Sequence, residues 1–76
     1  MDKLQAMVAF IKIAELGSFT RAAEIMGSSP PTMVRLLASL EEHLNVRLLH
    51  RTTRRIALTD EGRYYLEQCR HVLAGI

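Results

Sequence analysis

The amino-acid sequence predicts a mainly α fold, in which three helices and a two-stranded β wing precede a long C-terminal helix. Apolar residues recur at the three-and-four spacing of amphipathic helices in four segments of the 76-residue chain. A Gly-Ser-Ser-Pro-Pro sequence separates the second segment from the third. An arginine-rich stretch with alternating apolar residues lies between the third and the fourth. We therefore expect a compact unit at residues 1–58 and a further helix at 59–76.

The first predicted helix extends from Asp2 to about Leu16 and is apolar on more than one face. Its apolar residues are Leu4, Met7, Val8, Phe10, Ile11, Ile13 and Leu16. A helix that is apolar nearly all round is buried on both sides. A chain of this length buries only about 60% of the surface that its unfolded form exposes. We therefore expect part of this helix to pack against a second chain.

The second predicted helix begins at Phe19, where Ser18 can cap the N-terminus by accepting a backbone N–H. Ala22 and Ala23 are small enough for another helix to cross close above them. Gly27 ends the helix, because glycine adopts the left-handed conformation of a helix C-terminus without steric cost.

The third predicted helix begins with Pro30 and Pro31, and Ser28 and Ser29 are expected to supply its capping oxygens. One side carries an apolar stripe of Met33, Leu36, Leu37, Leu40 and Leu44. The other side leaves Thr32, Arg35 and Ser39, and obliquely Val34, facing outward. This division suits a recognition helix, which packs one face on the core and turns its outer N-terminal face toward a DNA major groove. It also fits an ordinary antiparallel helix pair in a small bundle.

The segment that follows favours the first of these two interpretations. From His43 to Leu58 the chain has four arginines and no acidic residue, although the net charge of the whole chain is only +2. Alternating runs at 48–51 and 55–58 flank a polar stretch at 52–54, which predicts a β hairpin. Guanidinium groups at the tip of such a hairpin can pair with phosphates or enter a narrow minor groove. Three helices with this wing make a winged helix–turn–helix.

The last predicted helix begins after Thr59, a favourable N-cap, and places Asp60 and Glu61 in its first turn, where they complement the helix dipole. Its apolar stripe consists of Tyr65, Leu66, Cys69, Val72, Leu73 and Ile76. We expect nothing else in so small a chain to cover this stripe, so a symmetric homodimer is the economical arrangement. The expected dimerisation residues are Leu4, Val8, Ile11, Tyr65, Leu66, Cys69, Leu73 and Ile76.

Enzymatic, metal-binding and membrane functions find no support in the sequence. The three histidines lack ligand-like spacing with Cys69 or with the acids, so we expect no metal site and no cofactor. The neighbouring acids Asp60 and Glu61 diverge rather than form a catalytic pair, and the glycines are isolated. No apolar run approaches membrane-spanning length. A lone cysteine fits a reducing cytoplasm, where we expect the protein to be located.

The motifs in this order resemble those of the N-terminal DNA-binding domain of LysR-type transcriptional regulators, over essentially all 76 residues. They are GSFTRAAEIMG, a serine-proline turn into the third helix, LEEHLNVRLLHRT, and LTDEG at the start of the last helix. The resemblance implies sequence-specific binding to double-stranded DNA at a promoter inverted repeat. It also implies a homodimer joined through the last helix, or a tetramer of the full-length protein. Because such regulators carry a C-terminal effector-binding domain, we expect this chain to be a truncated N-terminal part.

The resemblance and the helix pattern together imply two groups of DNA-contacting residues. The expected base-contacting residues are Pro30, Pro31, Thr32, Val34 and Arg35. The expected backbone and wing residues are Ser18, Thr20, Arg21, Ser28, Ser29, Arg51, Thr52, Thr53, Arg54 and Arg55. The chain departs from the family pattern at three positions. Pro30 stands where family members commonly have Gln, Val34 stands where they have Ser, and Leu36 stands where they have Gln or His. Apolar contact, for example with a thymine methyl, then replaces hydrogen bonds, so the sequence preference should differ.

Two functions stay open at this point. The favoured function is DNA binding in transcription regulation. The alternative is a winged-helix protein-interaction module without a DNA partner, which predicts binding that depends only weakly on salt.

Overall fold

The structure is a computed structural model that describes residues 2–51 and 55–74. Within these residues the elements are, in order, α1 (Lys3–Leu16), α2 (Phe19–Met26), α3 (Pro30–Leu44), β1 (Leu49–Arg51), β2 (Ile56–Leu58) and α4 (Asp60–Leu73). The two strands pair antiparallel. The predicted winged helix–turn–helix with a C-terminal helix is confirmed, and the bounds of the predicted recognition helix agree to within one residue.

Side-chain caps determine where each helix begins. The N-caps are Asp2, Ser18, Ser29 and Thr59, and each accepts the backbone N–H of the residue three positions on. The predicted capping roles of Ser18, Ser29 and Thr59 are confirmed. Ser28 is not the N-cap of α3; its backbone N–H instead donates to the carbonyl of Ala23 at 2.8 Å and closes α2.

Left-handed residues end the first three helices. Gly17 and Gly27 have φ angles of 65° and 64°. The end of α3 falls at Asn45, with φ of 58°, a residue type whose short polar side chain tolerates this conformation. The end at Gly27 is predicted from the sequence, whereas the one at Asn45 is not.

The core lies mainly between α1 and α3. Its fully buried side chains include Phe10, Ile13, Met33, Leu37 and Leu40, all at most 2% exposed. Ala22 and Ala23 of α2 are equally buried beneath the neighbouring helices. Leu36 and Leu44, predicted as part of the same stripe, are only half-buried and pack at the edge of the core.

The hairpin rests its apolar side on this core. Its register pairs Leu49 with Leu58, His50 with Ala57, and Arg51 with Ile56. Leu49 is buried, and Ile56 and Leu58 are half-buried, so the apolar side of the alternation faces inward. The predicted tip residues Thr52, Thr53 and Arg54 lie outside the described residues.

Helix α4 packs against α1. Leu66 and Cys69 are 7% and 1% exposed and belong to the same core as α1. Arg70 of α4 donates a hydrogen bond of 3.0 Å to the carboxylate of Glu15 in α1. The expectation that nothing in the chain covers the α4 stripe is therefore wrong for Leu66 and Cys69, because α1 covers them within the same protomer.

A smaller apolar surface remains on the outside of α1 and α4. Ile11, another expected dimerisation residue, is 8% exposed and belongs to the core. By contrast, Leu4 and Leu73 are 55% and 38% exposed, and Val72 beside them is 59% exposed. Val8 and Tyr65 are half-buried, and Ile76 lies outside the described residues. The stripe is thus shared between the protomer's core and an exposed surface.

Candidate nucleic-acid interface

The N-terminal turns of α3 carry the predicted base-contacting residues on the face turned away from the core, with Thr32 and Val34 at its edges. Pro30, Pro31 and Arg35 are exposed, and Thr32 and Val34 are half-buried. The two prolines occupy the first positions of the helix, where a missing backbone N–H costs no hydrogen bond. The opposite face of the same turns is anchored in the core through Met33 and Leu37. The structure therefore brings all five residues together on one rigid element.

Polar contacts within this face connect three side chains. The Ser29 and Thr32 hydroxyl oxygens lie 2.9 Å apart. Ser29 Oγ also accepts the backbone N–H of Thr32 at 3.4 Å. Arg35 Nη2 donates to Thr32 Oγ1 at 3.3 Å. These contacts hold the guanidinium group of Arg35 toward the N-terminal end of α3.

The N-terminus of α2 carries a second set of predicted residues. Ser18 Oγ accepts the backbone N–H of Arg21 at 3.1 Å, so the side chain that caps the helix is one that we expect to lie near a phosphate. Thr20 and Arg21 are exposed. Their side chains project from the first turn of α2 beside this cap.

The base of the wing contacts the same end of α2. The Arg51 guanidinium carbon lies 5.3 Å from the centre of the Phe19 ring, within the range of a cation–π interaction. Arg51 is exposed and Phe19 is half-buried. The sequence pattern predicts no role for Phe19, because its partner Arg51 lies 32 positions away along the chain. The contact places a wing arginine against the first residue of α2.

Charge is distributed to favour an anion on this side of the molecule. Neither α2 nor α3 has an acidic residue in its first turn, whereas α4 has Asp60 and Glu61. The N-terminus of a helix carries a partial positive charge and free backbone N–H groups. The positive end of α2 is thus left for an external anion, while that of α4 is complemented within the chain. The start of α3 offers its dipole but no free N–H, because Pro30 and Pro31 have none and those of Thr32 and Met33 donate to Ser29.

The α1–α4 side of the molecule is chemically different. Burial raises the pKa of Tyr65 to about 12, and the neighbouring Cys69 thiol adds to this effect. Burial also raises the pKa of Cys69, so its thiol stays protonated and weakly nucleophilic. The prediction that Cys69 is a small core residue is confirmed by its burial. In the part of the chain that the structure describes, no group of three or more His, Cys, Asp or Glu side chains could hold a metal ion.

None of the described helices is long and apolar enough to span a bilayer.

The fold and this surface together define a class of protein, the winged helix–turn–helix domains whose exposed recognition helix and arginine-rich wing are typical of duplex-DNA binders. A family model described as "Bacterial regulatory helix-turn-helix protein, lysR family" matches residues 4–63. The chain therefore belongs to the LysR family.

Curated relatives in this family are named as transcription regulators. An HTH-type transcriptional repressor of Pseudomonas aeruginosa is 46% identical over 76 residues, which are 100% of this chain and 24% of the relative. The HTH-type transcriptional activator AaeR of Escherichia coli is 42% identical over 73 residues, or 96% of this chain and 24% of the relative. The chain spans about a quarter of the length of these relatives.

Solved structures with the same fold include two bound to DNA. The CbnR_DBD–DNA complex has a TM-score of 0.90 and 37% identity, and the match covers 93% of this chain and 82% of that chain. The BenM_DBD complex with benA site 1 DNA has a TM-score of 0.89 and 31% identity, and the match covers 93% of this chain and 80% of that chain.

Proposed function

We propose that this chain binds double-stranded DNA in a sequence-dependent way, as the DNA-reading part of a LysR-type transcription regulator. Helix α3 enters the major groove, and the wing at about residues 51–55 lies on the minor groove and the backbone. The observation that carries the proposal is the exposed, acid-free N-terminus of α3, which presents Arg35 beside two prolines while the other face of the helix is fixed in the core. CbnR_DBD and BenM_DBD, which have the same fold, were solved as complexes with DNA, and this supports DNA binding by the present chain.

Base reading is assigned to the first turns of α3. An arginine side chain there can donate two hydrogen bonds to the N7 and O6 acceptors of a guanine. Pro30, Pro31 and Val34 offer only apolar contact, which suits a thymine methyl. Arg35 is therefore the residue through which hydrogen-bonded sequence preference is expressed, and the apolar residues shape the preference around it.

Phosphate contacts are assigned to the ends of α2 and α3 and to the wing. The hydroxyl groups of Ser18, Thr20, Ser28 and Ser29, with the guanidinium of Arg21, surround two helix N-termini that have no acid of their own. Arg51 extends this surface through its contact with Phe19. Thr52, Thr53, Arg54 and Arg55 are assigned to the same role from the sequence. Such contacts fix the position of the protein on the duplex without reading bases.

Homodimerisation is proposed through the outer side of α1 and α4. A groove of about 490 Å³ lies there, and its lining includes Leu4, Met7, Tyr65 and Val72. Leu4, Val72 and Leu73 are exposed to solvent in the protomer, and a second copy of the chain would cover them. A two-fold dimer presents two recognition helices to an inverted repeat. The test is sedimentation of the chain and of its Leu73→Glu variant, for which we expect dimers and monomers respectively.

The experiment that tests DNA binding is selection of duplexes from a random pool by the 76-residue chain, followed by titration of the selected duplex and an unselected one. We expect an enriched inverted repeat and an affinity for it at least about a thousandfold above that for the unselected duplex. An Arg35→Ala variant serves as the matched control, because it keeps the fold and loses the proposed guanine contact. If no sequence is enriched and binding is insensitive to salt, the protein-interaction module replaces the proposal.

A further inference from the structure

We infer that Thr32 determines sequence preference indirectly, as a positioning residue that orients Arg35. This inference rests on the proposed DNA-binding function. Thr32, expected from the sequence to contact a base, instead orients the residue that does so. The observation that carries it is the hydrogen bond of 3.3 Å from Arg35 Nη2 to Thr32 Oγ1, together with the contact of Thr32 with the helix cap at Ser29.

The direction of these hydrogen bonds follows from the chemistry of the groups. A guanidinium group only donates hydrogen bonds, so Thr32 Oγ1 is the acceptor toward Arg35. The hydroxyl proton of Thr32 is then available to Ser29 Oγ, which lies 2.9 Å away. Ser29 Oγ also accepts the backbone N–H of Thr32 at 3.4 Å. A consistent chain therefore extends from Arg35 through Thr32 to Ser29.

This chain is anchored on rigid parts of the helix. Ser29 is the N-cap residue, with an extended backbone conformation that the start of α3 fixes. Thr32 is branched at its β-carbon, which restricts its side-chain rotamers. Residues three positions apart in a helix lie on the same face, so Arg35 stands directly beside Thr32. The flexible arginine is thereby attached to an inflexible acceptor.

The consequence for DNA reading is a smaller entropic cost of ordering Arg35. A free arginine side chain loses much of its rotamer freedom when it binds a base edge, and restriction beforehand reduces that loss. The orientation held by Thr32 favours binding only to a base pair whose acceptors fit it. Other base pairs do not present acceptors in this geometry and gain little from the orientation. Thr32 should therefore raise discrimination between duplexes more than it raises overall affinity.

The test compares Thr32→Val, which removes the hydroxyl from a side chain of the same shape, with Thr32→Ser, which retains it. The readout is the ratio of affinities for two duplexes: the one selected from a random pool by the unsubstituted chain, and the same duplex changed at the base pair for which Arg35→Ala loses preference. We expect Thr32→Val to reduce this ratio roughly fivefold, the order of one hydrogen bond, and Thr32→Ser to restore it. Ser39→Ala removes an exposed hydroxyl farther along the same helix and should leave the ratio unchanged.

The double variant separates positioning from direct contact. If Thr32 acts through Arg35, Thr32→Val should have no effect on sequence preference once Arg35→Ala is present. A preference that still changes at any base pair in that background would mean that Thr32 contacts a base itself, and the inference would be overturned. An unchanged ratio for Thr32→Val alone would overturn it as well. If the pool yields no enriched duplex, the proposed function fails and this inference fails with it.

A measurement on the free chain tests the geometry without DNA. Nitrogen-15 relaxation of the Arg35 side chain should show restricted motion in the unsubstituted chain and in Thr32→Ser, and faster motion in Thr32→Val. Equal mobility in all three proteins would contradict the inference even if DNA binding is established.

Discussion

Gly62 lies so close to the backbone carbonyl of Leu48 that a β-carbon at this position would overlap with the carbonyl oxygen. The contact joins the start of α4 to the residue that precedes β1. Thr59 reinforces the junction: its hydroxyl donates to the carbonyl of Arg47 at 2.6 Å, and its oxygen accepts the backbone N–H of Gly62 at 2.8 Å. The Leu-Thr-Asp-Glu-Gly sequence therefore caps α4 and also packs the start of α4 closely against the segment that leads into β1.

Gly62→Ala should destabilise the chain by about 2 kcal/mol or more, as expected for a side chain forced into a packed region. Helix propensity alone predicts the opposite sign, because alanine stabilises a helix relative to glycine by about 1 kcal/mol. Gly17→Ala is the comparison: Gly17 has positive φ and open space around it, so only backbone strain of about 1 kcal/mol is expected. Urea unfolding measures the free energy of unfolding of both variants. A stabilised Gly62→Ala variant would show that the close contact between Gly62 and Leu48 is unimportant.

Glu41→Ala should cost about 1–3 kcal/mol, because the substitution leaves part-buried backbone donors without an acceptor. Glu41 Oε2 accepts the N–H of Leu48 at 2.7 Å and that of Leu49 at 3.3 Å, and so links α3 to the first strand. The adjacent Glu42 is exposed, and Glu42→Ala should change stability by less than about 0.5 kcal/mol. Equal losses in the two variants, measured by thermal unfolding, would show that the link is unimportant.

The order of elements and the exposed side of α3 can be predicted from the sequence, because both depend on residues close together in the chain. Ser18 and the Pro30-Pro31 pair indicate where α2 and α3 begin, and Gly27 indicates where α2 ends, through the conformational preferences of these residues alone. Phe19 contacts Arg51 and Gly62 contacts Leu48, at separations of 32 and 14 residues along the chain, and Glu41 accepts from Leu48 across the end of α3. No helix or strand periodicity contains that information. The same limit explains the error at Leu66 and Cys69, since periodicity shows that a stripe is apolar but not which element covers it.

Alkaline pH should destabilise the chain partly through Tyr65. Burial raises the pKa of Tyr65 from 10.0 to about 12, so the unfolded chain loses this proton before the folded chain does. The contribution to stability is therefore complete below about pH 10 and is lost as the pH rises through the folded value near 12. Burial raises the pKa of Cys69 as well, so its contribution is likewise lost as the pH rises above its ordinary value of 9.0.

Tyr65→Phe isolates this contribution. The variant retains the ring that lies 5.8 Å from the Phe10 ring and removes a hydroxyl whose oxygen is buried. We expect the free energy of unfolding to fall less steeply above pH 10 than in the unsubstituted chain, in denaturant titrations at a series of pH values. Tyr64→Phe removes a hydroxyl from the adjacent position, which is 68% exposed, and serves as the control. If both variants behave alike, Tyr65 is not the group responsible.

Affinity for DNA should fall steeply with salt. If each protomer of a dimer places Arg21, Arg51, Arg54 and Arg55 near phosphates, about eight contacts form and the slope of log affinity against log salt is on the order of −7. Affinity should then decrease about ten-thousandfold between roughly 50 and 200 mM salt. Fluorescence anisotropy with a labelled duplex measures the slope, and a value shallower than about −2 would favour the protein-interaction module.

Arg35→Ala and Arg54→Ala should separate base reading from backbone binding. Arg35 lies on the exposed face of the first turns of α3, so its loss should cost about 1–3 kcal/mol on the selected duplex and relax preference at one base pair in each half-site. Arg54 is expected at the wing tip from the sequence. Its loss should weaken binding to selected and random duplexes alike and reduce the salt slope by about one unit per protomer.

The opposite pattern would show that the docking mode is wrong. Preference lost with Arg54→Ala, together with uniform weakening by Arg35→Ala, would place the wing on the base edges and α3 on the backbone. One dependence on Arg54 is compatible with the proposal, because an arginine that enters a narrow A·T-rich minor groove senses its width. Preference for A·T-rich flanking sequence can therefore decrease in Arg54→Ala, but the preference for the guanine proposed to contact Arg35 must still depend on Arg35.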